Sequence, residues 1–295
     1  MNKETDFQPV YRYVVEVMDY AEEMANNPGG LAGLSSGFKV IDDMTSVMCA
    51  GELIVLVGQS LTSASALALN IAEHVALRER VPVAIFSMRM SGRELARRML
   101  SSLAHTDLQR LRGGTWTVDE RTRLMAASSE LQTHYLHVHS AIGLTTNDLR
   151  KKLLKLAVAM NSGRLGLLIV DALELIRPDM PQHGALAWDA GATLCHLKFI
   201  AQEFQLPIMV LTQFPCAANA SDACKPSLND HPLSEVIGEN ADVVMVLNLE
   251  ACDDQNQNRF GKATLKLSKL RDGVAGEVEI GFNRSPLRFS NLSSV

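Results

Sequence analysis

The stretch Gly58-Gln59-Ser60-Leu61-Thr62-Ser63-Ala64-Ser65 has the spacing of a phosphate-binding loop without its cation. Such a loop reads Gly, four residues, then Gly-Lys-Ser/Thr. Its backbone N–H groups cradle phosphate, its lysine meets the outer phosphates and its hydroxyl meets magnesium. Here the first glycine is Gly58, the second has become Ser63, the lysine position holds Ala64, and the hydroxyl is kept as Ser65. An apolar strand-like run, 52–57, precedes the loop and an apolar helix-forming run, 66–75, follows it. That order places backbone amides at a helix N-terminus, which favours an anion even without a lysine. The same residues also suit a plain strand-to-helix turn.

A second constellation is His134-x-x-His137-x-His139. His137 and His139 share one face of a predicted strand, with His134 just before it. No carboxylate or cysteine stands close by, so an exposed edge strand is expected rather than a metal site. Lys151, Lys152 and Lys155 lie on the next predicted helix, where a solvated cationic face is expected and a nucleic-acid contact is the alternative. No sign of acyl-transfer machinery is found, since the sequence holds no Gly-x-Ser-x-Gly elbow. Cys195 and His196 are helix neighbours whose side chains diverge.

These residues need a frame. Apolar residues at helical spacing predict a helix over 9–27, ended by Asn26-Asn27-Pro28-Gly29-Gly30. From Gly51 onward strands alternate with helices. The strands fall at 52–57, 82–88, 135–139, 165–171 and 206–212, then 241–247, 262–269 and 276–282. Helices are expected at 64–80, 91–104, 117–132, 145–161 and 185–204. Short apolar strands separated by helices predict a mostly parallel sheet covered on both faces. The last three strands follow one another closely and predict an antiparallel extension at one edge. The segment 215–233, rich in Pro, Asn, Asp and Ser, reads as a long loop. Two units result: a linker helix or arm over 1–30 and an α/β domain over 31–295.

Composition sets limits. Hydrophobic residues make up 47% of the chain, ample for a buried core, and the net charge of −5 argues against a broadly basic nucleic-acid face. The five cysteines (Cys49, Cys195, Cys216, Cys224, Cys252) form no CxxC pair and read as free thiols in a reducing cytoplasm. The polar start, Met1-Asn2-Lys3-Glu4-Thr5-Asp6, is no signal peptide, and no apolar run reaches membrane-spanning length. A cytoplasmic protein without a membrane partner is expected.

Several segments occur in a telling order: 31–38, Asp42-Asp43-Met44-Thr45, Gly51-Glu52-Leu53-Ile54, and Phe86-Ser87-Met88-Arg89-Met90 within 82–90. Then follow Gly143-Leu144-Thr145, Leu168-Ile169-Val170-Asp171, Leu211-Thr212-Gln213, Glu239-Asn240-Ala241-Asp242 and Lys269-Leu270-Arg271-Asp272-Gly273. Together they resemble the C-terminal motor domain of the DnaB-type replicative DNA helicases over nearly the whole chain, without that family's N-terminal helical domain. The resemblance implies a RecA-like P-loop NTPase fold, a ring of subunits with nucleotide at their interfaces, and single-stranded DNA in the channel.

Site residues carry over unevenly. Ala64 stands at the family's phosphate lysine and Ser63 at the adjacent glycine. Arg89 stands at the glutamate that orients the attacking water, and arginine stays protonated in proteins. Asp171 and Ser65 match the magnesium aspartate and hydroxyl, and Gln213 the sensing glutamine. Lys269 and Arg271 match the residues that reach a neighbour's nucleotide, where such cations raise hydrolysis by about three to five orders of magnitude. The family's channel loop corresponds to Leu233-Ser234-Glu235-Val236-Ile237, which lacks its arginine, and the 215–233 loop carries only Lys225 as a basic residue. DNA contact by phosphate neutralisation is therefore expected to be weak.

The expected function is a degenerate helicase-like pseudo-ATPase that assembles with itself or with replicative helicase subunits. It has no strongly bound cofactor, leaving weak ATP or ADP binding with magnesium. The competing expectations are an active ATP-dependent DNA helicase with an atypical phosphate loop and a DNA-binding protein without turnover. Arg89 is expected to fill the phosphate pocket and pair with Asp171 or Glu174.

Overall fold

The computed structural model describes residues 9–26, 33–45, 47–160, 164–178, 189–214, 227–249, 260–270 and 275–292. Its first element is helix α1 (Val10–Asn26), and α2 (Lys39–Thr45) follows. The parallel part then builds up through β1 (Leu53–Gly58), α3 (Leu61–Leu77), β2 (Val83–Ser87), α4 (Gly92–Leu103), α5 (Leu108–Gly113), α6 (Val118–Glu130), β3 (Leu136–Ser140), α7 (Thr146–Ala159) and β4 (Leu167–Asp171). After α8 (Ala190–Phe204) come β5 (Ile208–Gln213), α9 (Ser234–Asn240) and β6 (Val243–Leu249). The last strands are β7 (Phe260–Leu270), β8 (Gly276–Asn283) and β9 (Arg288–Ser290).

Among the described residues the strands form one sheet in the order β3-β2-β4-β5-β1-β6-β7-β8-β9. β3 through β6 in that order pair parallel, and β7, β8 and β9 extend the sheet antiparallel. Strand alternation divides the core in two. Ile54 and Leu56 of β1 join the cluster under α2, α3 and α4, whereas Leu53, Val55 and Val57 join the one under α7, α8 and α9. The central strands are buried on both faces, which is why they read as continuous apolar runs.

The segment at 33–45 is tied by its own polar residues: Ser35 Oγ and Ser36 N both donate to the Asp42 carboxylate, at 2.7 and 2.8 Å. Asp242 plays the same part at the start of β1. It accepts from Leu53 N at 2.8 Å and from Lys198 Nζ at 2.6 Å. Two acidic motif residues thus serve the scaffold.

The short elements α2, α5, α9 and β9 were not legible as periodic runs, being three to seven residues long. The stretch matched to a channel loop, 233–237, lies mostly in α9. Residues 215–226, most of the expected long loop, lie outside the described residues, and with them Lys225. Among the described residues Cys49 and Cys195 form no disulfide, and no helix is long and apolar enough to cross a membrane.

Candidate functional site

Parallel strands bring their carboxyl ends to one edge, and a ligand crevice belongs there, at the switch in strand order. Gly58 sits opposite Gln213, and Ser87 opposite Asp171, in the sheet register. The sequence-derived residues of β1, β2, β4 and β5 therefore do converge.

The loop itself is short and closed. Only Gln59 and Ser60 separate β1 from α3. Ser60 caps α3, its hydroxyl accepting from Ser63 N at 3.3 Å. The Ser60 carbonyl accepts from Ser63 Oγ at 2.9 Å and from Ala64 N at 3.2 Å. Gln59 is anchored to β6: its N–H donates to Leu247 O at 3.4 Å and its Oε1 accepts from Leu249 N at 3.2 Å. Amides that a phosphate would engage are thus bonded within the loop. Ala64 is fully buried, and a Cβ built on Gly58 would lie 2.7 Å from Ser60 O and 2.9 Å from Ala64 Cβ. Glycine is required at 58 by this close approach.

Beneath the loop, Ser65 Oγ donates to Asp171 Oδ2 at 2.7 Å, while Asp171 Oδ1 is buried without a partner. Burial raises the Asp171 carboxyl above its ordinary value; the Ser65 hydrogen bond and the charges of Arg89 and Arg98 oppose this, and Glu174 adds to it. A hydroxyl oxygen and an unsatisfied carboxylate oxygen form a donor set of the type magnesium takes alongside phosphate oxygens.

Arg89 departs from expectation. It is exposed, and among the described residues it pairs with neither Asp171 nor Glu174. An exposed guanidinium keeps its hydration, which entry into the pocket would strip away. Glu174 has other work: it accepts from Thr212 Oγ1 and, at 3.1 Å, from Gln213 N. Gln213 O in turn accepts from His231 Nε2 at 3.0 Å, while His231 Nδ1 accepts from Leu233 N at 3.1 Å. Burial lowers the His231 imidazole below its ordinary value and outweighs the opposing effects of Gln213 and Glu174, so the ring is a neutral strut.

Arg98 is the residue that sequence reasoning missed. It lies on α4 among the buried Leu95, Met99 and Ser102, and its Nη1 is buried without a partner. Burial lowers its guanidinium from the ordinary value; Glu94 and Asp171 oppose this, and Arg89 adds to the fall. A cation at an apolar-face position of an amphipathic helix was the available signal.

Lys269 Nζ donates to Gly238 O and Ala241 O, both at 2.7 Å, and so ties β7 to the end of α9. Arg271 lies outside the described residues. His137 and His139 stand on the edge strand β3, and no group of three or more metal-ligating side chains occurs among the described residues.

Sheet order, the β1–α3 turn and the Ser65–Asp171 pair define a RecA-like α/β domain of phosphate-loop descent. The chain belongs to the DnaB-like helicase C terminal domain family, whose model matches residues 33–291. It is 28% identical over 286 residues to the replicative DNA helicase DnaC of Bacillus subtilis, covering 97% of this chain and 62% of that one. The replicative DNA helicase DnaB of Geobacillus stearothermophilus is 27% identical over the same length, with the same coverage of each chain. The chain thus spans less than two thirds of these relatives. A solved DnaB-like replicative helicase, described with its interactions with primase, shares the fold at a TM-score of 0.82 and 20% identity, over 99% of this chain and 69% of that one.

Proposed function

We propose that this chain serves DNA replication as a helicase-type motor domain that assembles without turning over ATP. One observation carries the reading: the lysine and glutamate positions hold Ala64 and Arg89, and the amides beside Ala64 are bonded to Ser60. Without the lysine, charge on the outer phosphates goes unmatched, and arginine cannot act as a base. Ser65 and Asp171 leave a weak hold on a magnesium-bound diphosphate or triphosphate.

Assembly is supported by α1. Its Val10, Tyr13, Val14, Val17 and Met18 are each more than half exposed, an apolar stripe too large to be left in water without a partner. The proposed partners are further copies of this chain or subunits of a replicative helicase, with single-stranded DNA a weak ligand. The test combines light scattering on the protein with and without residues 1–30, alone and with a replicative helicase, and phosphate release from ATP with magnesium and single-stranded DNA. Oligomers or helicase complexes that require residues 1–30, with no phosphate release, are expected. Monomers under all conditions and no helicase binding refute the reading.

A second reading, an active ATP-dependent helicase with an atypical loop, is favoured by the Ser65–Asp171 pair. Steady phosphate release, abolished by Arg271→Ala, would decide for it.

A further inference from the structure

We infer that the free edge of β3 docks an extended acidic segment of a partner protein, which joins the sheet as one more strand. β3 ends the sheet on this side and pairs with β2 in parallel. Tyr135 O accepts from Val83 N at 2.7 Å, and Ala141 N donates to Ser87 O at 3.2 Å. In a parallel ladder every second residue turns its N–H and C=O to the same neighbour. Tyr135, His137, His139 and Ala141 therefore serve β2, while Leu136, Val138 and Ser140 turn their backbone groups outward. Among the described residues no strand lies beyond them. Val138 is 41% exposed and Ser140 is exposed. Such a row of unmatched donors and acceptors is a template for an added strand.

The side chains beside the edge select what joins it. His137 and His139 lie opposite Ala84 and Phe86, on the face that α7 covers, and Val138 lies opposite Ile85 on the other face. A cleft of about 440 Å³ separates β3 from α7, and Lys152, Lys155 and Leu156 line its α7 side with no carboxylate in the lining. Two copies of this chain paired antiparallel through β3 would carry both α7 helices on one face and set like charges together, which disfavours the pairing. A nucleic acid meets the lysines but has no peptide groups to continue the ladder. A peptide with carboxylates at alternate positions does both. Its acidic side chains enter the cleft toward Lys152 and Lys155, and its intervening apolar side chains pack beside Val138.

The experiment follows a fluorescein-labelled Val-Glu-Val-Glu-Val peptide, matched to the five residues of β3, by anisotropy against the full chain. Saturable binding is expected, with slowed hydrogen exchange at the Leu136, Val138 and Ser140 amides. Val138→Pro deletes an outward donor and no bond to β2, a change that edge strands tolerate. It should abolish binding, and Val138→Thr should keep it. Lys152→Gln with Lys155→Gln should weaken binding about tenfold or more, the scale of one charge-assisted hydrogen bond, with thermal unfolding unchanged. Two further peptides, N-methylated at the valines or at the glutamates, test the ladder without altering the protein. Only the one whose blocked amides face β3 should lose binding. No saturation, undiminished binding by Val138→Pro or by the lysine double variant, equal binding of the two N-methylated peptides, displacement of the peptide by an oligothymidylate, or dimers of the chain alone that Val138→Pro dissolves would each overturn the proposal.

Discussion

Glu73 offers the sharpest test of how this scaffold handles buried charge. It lies on α3 with 3% exposure. Its Oε2 accepts from Ser102 Oγ and Arg288 Nη1, both at 3.1 Å, and from Asn70 Nδ2 at 3.5 Å. Its Oε1 is buried without a partner. Burial raises the carboxyl from 4.5 to about 7, against the opposing effects of Arg288, Ser102 and Asn70. At about 1.4 kcal/mol per unit, that rise corresponds to about 3 kcal/mol of lost stability once the group is ionised in the folded state.

The sign follows from proton counting. Below pH 4.5 both states hold the proton and the penalty is absent. Between 4.5 and about 7 the unfolded chain releases it while the native chain keeps it, so stability falls as pH rises. Above that window the penalty is constant. Glu73→Gln keeps the shape and the acceptor for Arg288 and cannot ionise. Compared by denaturant unfolding at pH 5 and pH 8, the variant should gain on the parent by up to about 3 kcal/mol between the two, or roughly 5–10 °C in Tm. A parent-to-variant difference that stays the same at pH 5 and pH 8 refutes the reasoning.

Ser65→Ala removes the hydroxyl from Asp171 and leaves both carboxylate oxygens buried and unpartnered. It should cost about 1–3 kcal/mol in denaturant unfolding, and adding Asp171→Asn should recover part of that loss. Lys269→Met strips two carbonyls of their donor. It should lower stability by about 1–3 kcal/mol at every protein concentration, whereas a residue used only on a neighbour's nucleotide would leave unfolding of the dilute protein unchanged.

The fold was legible because its strands are long apolar runs and its helices amphipathic. The central strands, 52–57 and 165–171 among them, were placed to within two residues from their apolar pattern alone. The site was legible as far as residue identity fixes chemistry: Ala64 can carry no charge in any fold. What escaped was conformation and long-range packing. Nothing in the order of Gly58–Ser65 says that Ser60 turns its carbonyl toward Ser63 and Ala64. Nor does Arg89 announce that it faces water while Arg98, nine positions on, is the guanidinium turned inward. Glu73 and Arg288, 215 residues apart, meet only through the sheet that brings β9 onto α3.

The alanine at position 64 and the hydrogen bonds within the loop bear on one another. A lysine at position 64 would start from a fully buried Cα–Cβ bond and need an open cradle for its ammonium, since burying that charge unpaired costs several kcal/mol. Alanine makes no such demand. Its methyl group lies against Gly58, and the Ser60 carbonyl accepts from the Ala64 amide as the first backbone bond of α3. Ser63 completes the closure, because its hydroxyl adds a bond to that carbonyl which a glycine cannot make. Seating a phosphate on these amides requires breaking the bonds that Ser63 and Ala64 make to Ser60. On the proposed reading the cost of nucleotide binding has two parts, the absent ammonium and the loop's own hydrogen bonds, and only the first could be read from the sequence.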